Sequence, residues 1–312
     1  MWDNSKASRL VESLLLNIPI PALYFAETSD GHYEIIDGHQ RVRSIVRFLN
    51  NELQLSGLAV LTEHLGKRYY GLPDRDQRSL KLKTLRTIVI GMDSHSSMKF
   101  EIFERLNSGS IVLTSQELRN SLYRGTLNNL LKDLAHNQTF RMLIGTKEPR
   151  KRMVDEELIL RFLALHANLP DYRPSLKRFL KDFFELYQNP SDDAIDSLTT
   201  VFKETTQRIY QCLGTNSFRI MDQFGKPIER GVNRSLFDSQ MLAFSWIKEL
   251  PVDPPKAAVE ALSTLYENPD FLDAVRRATG DRTRTLTRIR RTVAALKGAG
   301  FRFDVPFDLE AS

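Results

Sequence analysis

The chain lacks the residues and segments on which several classes of protein depend. It has one cysteine, Cys212, among 312 residues, which excludes an internal disulfide framework, a cysteine-based zinc finger and an iron–sulfur site. No apolar run approaches the roughly 18 residues of a membrane span, and the N-terminus has no basic stretch leading into an apolar one. These absences predict a cytoplasmic protein, without membrane contact, that folds around an ordinary hydrophobic core.

The motifs of several common enzyme families are missing as well. There is no GxxxxGK[ST] phosphate loop, no GxGxxG dinucleotide motif and no GxSxG nucleophile elbow. None of the six histidines forms an HExxH or HxH pair, and there is no His-Asn-His nuclease cassette. The sequence therefore predicts no metal site built from protein ligands alone.

Basic charge is in small excess and is unevenly placed. The net charge is +5, but residues 276–302 contain nine basic residues and one acidic residue, so that segment carries +8 and the rest of the chain −3. A local basic patch is typical of a surface that binds a polyanion such as nucleic acid. A solvated helix face has the same composition, and charge alone leaves both interpretations open. The predicted DNA-binding residues are Arg282, Arg284, Arg288, Arg290 and Arg291.

Residues 1–125 alternate between helical and extended patterns. Two segments, Ala7 to Leu15 and Val42 to Leu49, have apolar residues at helical spacing. In the second helix, the stripe expected to face the core is Val42, Ile45, Val46 and Leu49. The best strand signals lie at 22–26, 33–36 and 85–90, and residues 57–91 as a whole alternate short strand signals with polar turns. These patterns predict an α/β domain.

The rest of the chain is helical almost throughout. After a helical pattern at 97–106, further helices are predicted at 154–166, 174–188, 192–212, 234–249, 256–266 and 284–297. The predicted fold class is therefore α+β, with an α/β domain at residues 1–125 and an α-helical domain at residues 126–312.

The segment from Asp37 to Arg41, Asp-Gly-His-Gln-Arg, is the most informative motif. A strand leads to a glycine turn, and a helix begins at once. The N–H groups and dipole of a helix start favour an anion. Gly38 would let a ligand approach the backbone, and Arg41 would offer a forked donor to phosphate. Asp37 suits an N-cap, a metal or water ligand, or a general base. An ordinary Asp-Gly turn explains the same residues, so both interpretations stay open at this point.

Two further segments also have a structural and a functional interpretation. Thr114 begins a capping box that explains Glu117 without any ligand, and Asn107 before Ser-Gly is typical of a helix end. A short basic run either contacts phosphate or is simply exposed; it consists of Lys147, Arg150, Lys151 and Arg152.

Taken in order, the motifs resemble one known family. After Trp2, the segments that carry the resemblance are Lys6–Ser13 (KASRLVES), Ile18–Pro21 (IPIP), Ile36–Arg41 (IDGHQR), Phe103–Gly109 (FERLNSG), Leu113–Asn120 (LTSQELRN), Asp155–Arg161 (DEELILR) and Asn233–Asp238 (NRSLFD). The family is the N-terminal domain family of GmrSD-type, modification-dependent (type IV) restriction enzymes, whose fold is similar to that of ParB and sulfiredoxin. Each motif alone is weak, but their combination and order are specific and extend over nearly the whole chain.

The resemblance implies a nucleotide-binding and nucleotide-hydrolysing module of bacterial anti-phage defence that acts on DNA. The family's Asp-Gly-Gln-Gln-Arg motif falls on Asp37 to Arg41, with His39 in place of the first Gln. We therefore expect Asp37 and Arg41 to be catalytic and the substrate to be an NTP accompanied by Mg²⁺. The expected nucleotide-binding residues are Gly38, His39, Gln40, Arg43, Asn107 and Glu117.

The chain departs from the family pattern in two places. Family members usually begin with an Arg-x-Tyr-x-Trp strand, whereas this chain begins at Met1-Trp2, so we expect either a shortened start or an incomplete site. A His-Asn-His domain often follows in the family but has no counterpart here, so cutting would need a separate nuclease subunit or an unrecognised site. The alternatives are a non-catalytic DNA-binding or regulatory protein of the same fold and a ParB-like metal-dependent nuclease.

Overall fold

The computed structural model describes residues 2–27, 31–91, 113–222, 224, 226–277 and 279–307. By its internal contacts the chain divides into two compact units, Met1–Val112 and Leu113–Ser312. The first combines helices with a small sheet and the second is mainly helical, which confirms the predicted α+β class. Likeness to ParB and sulfiredoxin stays a prediction. The boundary between the two units lies after Val112, whereas the sequence predicted a boundary after residue 125. One helix lies between these two positions.

The described part of the first unit contains helices and strands in mixed order. They are α1 (Asn4–Leu15), β1 (Leu23–Glu27), β2 (Tyr33–Asp37), α2 (His39–Leu49), α3 (Asp74–Lys81) and β3 (Thr87–Ile90). Helix α1 begins where the Asp3 carboxylate caps it by accepting the N–H of Lys6 at 2.7 Å. The helix predicted at 97–106 lies outside the described residues.

Between residues 57 and 84 the structure corrects the predicted alternation of strands and turns. This stretch holds α3 and two short 3-10 turns at 62–64 and 69–71. Pro73 precedes α3, and Asp74 and Asp76 occupy its first turn, where the helix dipole favours acids. These local signals for a helix start outweigh the scattered apolar residues that suggested strands.

Strand β1 is the central strand of the sheet, whose order is β2-β1-β3. It pairs antiparallel with β2 and parallel with β3, so Phe25 lies opposite Ile35 on one side and Val89 on the other. Strand β2 ends at Asp37, and Gly38 alone separates it from α2. The sheet therefore determines where the candidate motif begins.

Helix α2 buries a different face from the predicted one. Val46 is 48% exposed, whereas Arg41, Ser44 and Phe48 are buried. Phe48 packs edge-on against Tyr69 with ring centroids 5.9 Å apart, and burying such a side chain contributes about 1.5–3 kcal/mol. This aromatic contact fixes which face of α2 is buried. The stripe of aliphatic residues had predicted a different buried face. Phe48 and Tyr69 belong to the hydrophobic core of this unit. The other buried residues of that core are Ala7, Val11, Leu53, Leu55, Leu58 and Leu72.

Glu12 joins α1 to the loop at 59–61. Its buried carboxylate accepts the N–H groups of Ala59, Val60 and Leu61 at 3.1, 2.7 and 2.8 Å. Burial raises the pKa of this carboxyl, but the three N–H donors outweigh burial and lower the pKa below its ordinary value. Glu12 therefore has a structural role as a charged acceptor. Neither its helical spacing nor the charge pattern of the sequence distinguishes it from a surface glutamate.

The second unit consists mainly of helices with side-chain caps. The described elements are α4 (Ser115–Leu122), α5 (Thr126–Ala135), α6 (Gln138–Ile144), α7 (Val154–Asn168), α8 (Leu176–Leu186), α9 (Asp192–Leu213), α10 (Arg234–Ser245), β4 (Ile247–Glu249), α11 (Pro254–Leu265), α12 (Pro269–Arg276), α13 (Arg282–Gly298) and β5 (Arg302–Phe303). Caps include Asn137, Ser175, Ser191, Asn233 and Asp281. None of the described helices is both long and apolar enough to cross a membrane.

The helices predicted in this unit are confirmed to within a few residues, except at the end of α10. Helix α10 ends at Ser245 and not near residue 249, because residues 247–249 pair with 302–303 as strands β4 and β5. Helices α5, α6 and α12 were not among the predicted ranges. For α12 the sequence does contain start signals, since Asn268 caps it and Pro269 occupies its first position.

Candidate functional site

The turn between β2 and α2 requires glycine for two reasons. Gly38 has φ +96°, a left-handed conformation that residues with a Cβ rarely adopt. A Cβ built on it would also lie 2.3 Å from Cδ2 of Leu23. The expectation that Gly38 leaves room for a ligand is therefore corrected, because this chain's own Leu23 fills that space.

The start of α2 has the electrostatic features of an anion site. No described side chain caps the helix, and its first turn contains no acid. The first N–H groups of a helix have no partner within the helix and carry partial positive charge. His39 and Arg43 are exposed beside them, whereas Gln40 is half-buried and its Oε1 accepts the N–H of Trp2 at 3.1 Å. Of these predicted nucleotide-binding residues, His39 and Arg43 present their side chains to solvent.

Arg41 and Asp37 form an ion pair within the motif. Arg41 Nη2 donates to Asp37 Oδ2 at 2.5 Å, and Nη1 donates to the carbonyls of Pro21 and, at 3.3 Å, Ala22. The Arg41 residue is only 9% exposed, whereas the Asp37 side chain is 39% exposed. The predicted direct contact between Arg41 and phosphate is therefore corrected: the guanidinium holds Asp37 and the chain before β1. Asp37 is the member of the pair that solvent reaches.

The two remaining predicted nucleotide contacts lie elsewhere in the sequence. Asn107 falls outside the described residues. Glu117 belongs to the second unit, where it completes the predicted capping box: its Oε2 accepts the N–H of Thr114 at 2.7 Å. Glu117 also pairs with Arg152 at 3.0 Å. Burial alone would raise the pKa of Glu117. The hydrogen bonds from Arg152 and Thr114 outweigh burial and hold the pKa below its ordinary value, so these contacts stabilise a charged carboxylate. Helix capping thus accounts for Glu117.

Two of the five predicted DNA-binding arginines point inward. Arg288 is 1% exposed and donates to Asp238 at 3.2 Å and to the carbonyl of Thr279 at 2.9 Å. Arg282 is half-buried and donates to the carbonyls of Tyr172 and Pro170. The prediction that Arg288 contacts DNA is corrected, since its guanidinium serves the interior. Arg288 lies on the buried face of α13, together with Thr285 and Thr292.

The other three arginines lie nearer the surface of α13. Arg284 pairs with Asp273 at 2.9 Å, and Arg291 pairs with Asp270 at 3.0 Å. These two side chains are 35% and 37% exposed, and Arg290 is half-buried. The basic residues that are exposed in the same segment are Arg276, Arg277, Lys297 and Arg302.

The chemistry of the remaining titratable groups is limited. Among the described residues, no group of three His, Cys, Asp or Glu side chains could hold a metal ion. Cys212 is buried, and burial raises the pKa of its thiol to about 11, which leaves it protonated and unreactive. Within the motif, the groups that could take part in metal or water chemistry are the Asp37 carboxylate and the exposed imidazole of His39.

Comparison with known proteins supports the resemblance seen in the sequence. Residues 1–124 match the family described as the GmrSD restriction endonuclease, N-terminal domain, and the match spans the whole motif from Asp37 to Arg41. No curated protein and no solved structure matches the chain. Residues 1–124 are therefore similar in sequence to the N-terminal domain of GmrSD restriction endonucleases.

Proposed function

We propose that the protein is a nucleotide-binding and nucleoside triphosphate-hydrolysing component of a DNA restriction system. The observation that carries this proposal is the junction of β2 and α2, where a half-exposed carboxylate at Asp37 precedes an uncapped helix start without acids in its first turn. A helix start of this kind favours a phosphate group through its N–H groups and its dipole. The match of residues 1–124 to a restriction family gives the setting.

In the proposed complex, the backbone binds the phosphates and exposed side chains add charge. The N–H groups of residues 39–41 point toward the start of α2, as in any helix. Arg43 lies one turn along the same helix and is exposed, so its guanidinium is available to a phosphate oxygen. His39 is exposed at the first position of the helix and can donate a hydrogen bond there.

Asp37 is the proposed positioning group for water or for the Mg²⁺ that accompanies the nucleotide. Mg²⁺ usually keeps several waters and takes only one or two protein carboxylates beside the substrate phosphates, and a single half-exposed carboxylate fits that pattern. When bound, the ion would neutralise charge on the phosphates. Arg41 acts through Asp37: it fixes one carboxylate oxygen and anchors it to the backbone at Pro21 and Ala22.

We further propose that DNA binds the basic surface formed by α12 and α13. Arg276 and Arg277 are exposed there, and Arg284 and Arg291 would exchange their surface partners for phosphates. Surface ion pairs are worth only about 0–1 kcal/mol, so this exchange costs little. In this proposal a separate nuclease subunit cuts the DNA.

The first test measures nucleotide binding and phosphate release from ATP, GTP, CTP and UTP, with and without DNA. Arg43→Gln should weaken nucleotide binding about tenfold, because it removes a charge-assisted hydrogen bond. Arg47→Gln is the matched control, since it removes the same charge from the last turn of the same helix. Asp37→Asn should abolish phosphate release while retaining nucleotide binding.

The outcome distinguishes the proposal from its alternatives. A folded protein that binds DNA but no nucleotide would be a non-catalytic binding protein. Metal-dependent DNA nicking that needs no nucleotide and disappears in Asp37→Asn would identify a nuclease. For DNA binding itself, replacing Arg276 and Arg277 with Gln should reduce the salt dependence of binding by about 0.9 for each phosphate that the variant no longer neutralises, whereas Lys256→Gln, an exposed site outside the basic segment, should not.

A further inference from the structure

A basic pocket lies within the helical unit, far in sequence from the motif at 37–41. Its volume is ≈ 430 Å³, within the range of about 300–1,000 Å³ typical of small-molecule sites. It is lined by His136, Gln138, Arg141, Met142, Gly145, Thr146 and Lys147. These lining residues include two permanent cations and one histidine but no acid, so their charge favours an anionic ligand.

Arg141 is the most unusual residue of this pocket because its hydrogen bonding is incomplete. It is 6% exposed, and its Nη1 donates to Asp155 at 2.7 Å and to the Thr146 hydroxyl and the Glu148 carbonyl at 2.9 Å. Its Nε and Nη2 have no partner among the described residues. The ring of Phe140 lies 4.9 Å from the guanidinium carbon and covers one face, but it does not accept the in-plane N–H groups. Unpaired charged donors inside a protein are costly, which makes an acceptor at this point favourable.

The acidic residues nearby do not supply that acceptor. Asp155 is fully buried, and both its oxygens are engaged: Oδ2 by Arg141 and the Arg150 N–H, and Oδ1 by Arg150 Nε at 2.6 Å. Glu156 is the neighbouring acid; burial and the charge of Asp155 raise its pKa, so it is less readily ionised. The residues that line the pocket therefore carry two cations and no acid, and the buried Asp155 is already engaged.

The segment that joins α6 to α7 is held in a strained conformation. Arg152 and Met153 are consecutive residues with positive φ, +67° and +55°, which is uncommon without glycine. Such strain is retained where surrounding contacts enforce it and is often found at binding sites. Here the buried Asp155 anchors the loop from one side, and the Thr114 hydroxyl donates to the Arg152 carbonyl from the other.

We propose that this pocket binds a phosphate group, with Arg141 and Lys147 as its principal donors and Thr146 and His136 beside them. Arginine's forked donors match phosphate oxygens, and lysine adds a point charge at the rim. The basic run of the sequence is thereby divided: Lys147 lines the pocket, whereas Lys151 is exposed outside it. The proposal does not depend on nucleotide hydrolysis at residues 37–41.

The test uses the full chain and inorganic pyrophosphate as the probe. Lysine acetylation, measured peptide by peptide with mass spectrometry, reports Lys147 and Lys151 separately in the unaltered protein. Pyrophosphate should protect Lys147 several-fold and leave Lys151 unchanged, and ATP should do the same if a free nucleotide is the source of the phosphate. Equal reactivity of Lys147 with and without pyrophosphate, or equal protection of both lysines, would overturn the proposal.

Variants complete the test and separate it from the site at residues 37–41. Lys147→Gln should weaken pyrophosphate binding about tenfold, the effect of one charge-assisted hydrogen bond, whereas Lys151→Gln should change it little. Arg43→Gln should not alter the protection of Lys147, since that residue belongs to the other proposed site. A short DNA duplex that protects Lys147 but not Lys151 would identify a nucleic acid phosphate as the source; a duplex that protects both would indicate a surface contact and contradict the pocket.

Discussion

At the scale of single residues, the motif at 37–41 joins a structural and a chemical task. Gly38 makes the turn, Arg41 holds Asp37, and solvent reaches only the Asp37 member of that pair. Sequence reasoning identified these residues but assigned Arg41 to phosphate. It could not anticipate the carbonyls of Pro21 and Ala22, because backbone acceptors have no signature in the residue types that carry them.

Gly38→Ala should destabilise the protein by several kcal/mol. The left-handed φ costs about 1–3 kcal/mol for a residue with a Cβ, and overlap with Leu23 adds about 1–3 kcal/mol. Gly31→Ala is the control, since Gly31 also has positive φ but no described atom lies within 4 Å of its Cβ position. Urea denaturation should show the larger loss of stability for Gly38→Ala; equal losses would mean that Leu23 yields without cost.

Glu12→Gln should destabilise the protein by about 2 kcal/mol at neutral pH, because three N–H groups lose an ionised acceptor. The folded pKa lies below the ordinary value of 4.5, so the stabilisation is present above that value and is lost as pH falls through the folded pKa. The difference between wild type and variant should therefore shrink below about pH 4.5. Glu63→Gln, at an exposed site, serves as control; a difference that stays constant with pH would contradict this assignment.

At the scale of elements, periodicity predicted the existence of helices better than their orientation. The long helices α7, α9 and α13 were located from apolar spacing, yet α2 buries Phe48 and Arg41 and exposes Val46. Orientation depends on partners that are distant in sequence, such as Tyr69 for Phe48. The same limit applies to α13, where Arg288 lies inside because Asp238 of α10 receives it.

The buried cluster at Asp238 should contribute strongly to the stability of the helical unit. Asp238 is fully buried and pairs with Arg161 of α7, at 3.0 Å between Oδ1 and Nε, and with Arg288 of α13. Asp238→Asn would leave two buried guanidiniums without a counter-charge and should cost about 3–5 kcal/mol in denaturant unfolding.

The matched control is Asp270→Asn, which breaks the surface pair with Arg291 and should cost about 0–1 kcal/mol. Similar costs in the two variants would show that the interior charges rearrange or gain water. A much larger loss of stability for Asp238→Asn would support a structural role for α13. The segment 276–302, with its nine basic residues, would then be partly core and only partly a binding surface.

At the scale of the whole molecule, the family match and the internal contacts define different boundaries. The match runs to residue 124, whereas the contacts divide the chain after Val112. Helix α4 lies between these two limits. Its Leu118 and Arg119 are buried, Arg119 donates to Glu157 of α7 at 3.3 Å, and Tyr123 packs on Phe184 of α8. By its contacts α4 belongs to the helical unit, although its sequence belongs to the family motif.

A pair of fragments tests this assignment. Residues 113–312 should form a cooperatively folding unit, whereas residues 126–312, cut at the limit that the sequence predicts, should unfold at a clearly lower temperature. Removing Leu118 alone takes away about 1.5–3 kcal/mol of burial, and removing Arg119 leaves Glu157 without its buried partner. Thermal unfolding by circular dichroism provides the comparison, with Leu118→Ala in the longer fragment as an intermediate case. Equal melting temperatures for the two fragments would show that α4 draws its stability from the preceding residues, and the boundary near 125 would then be the correct one.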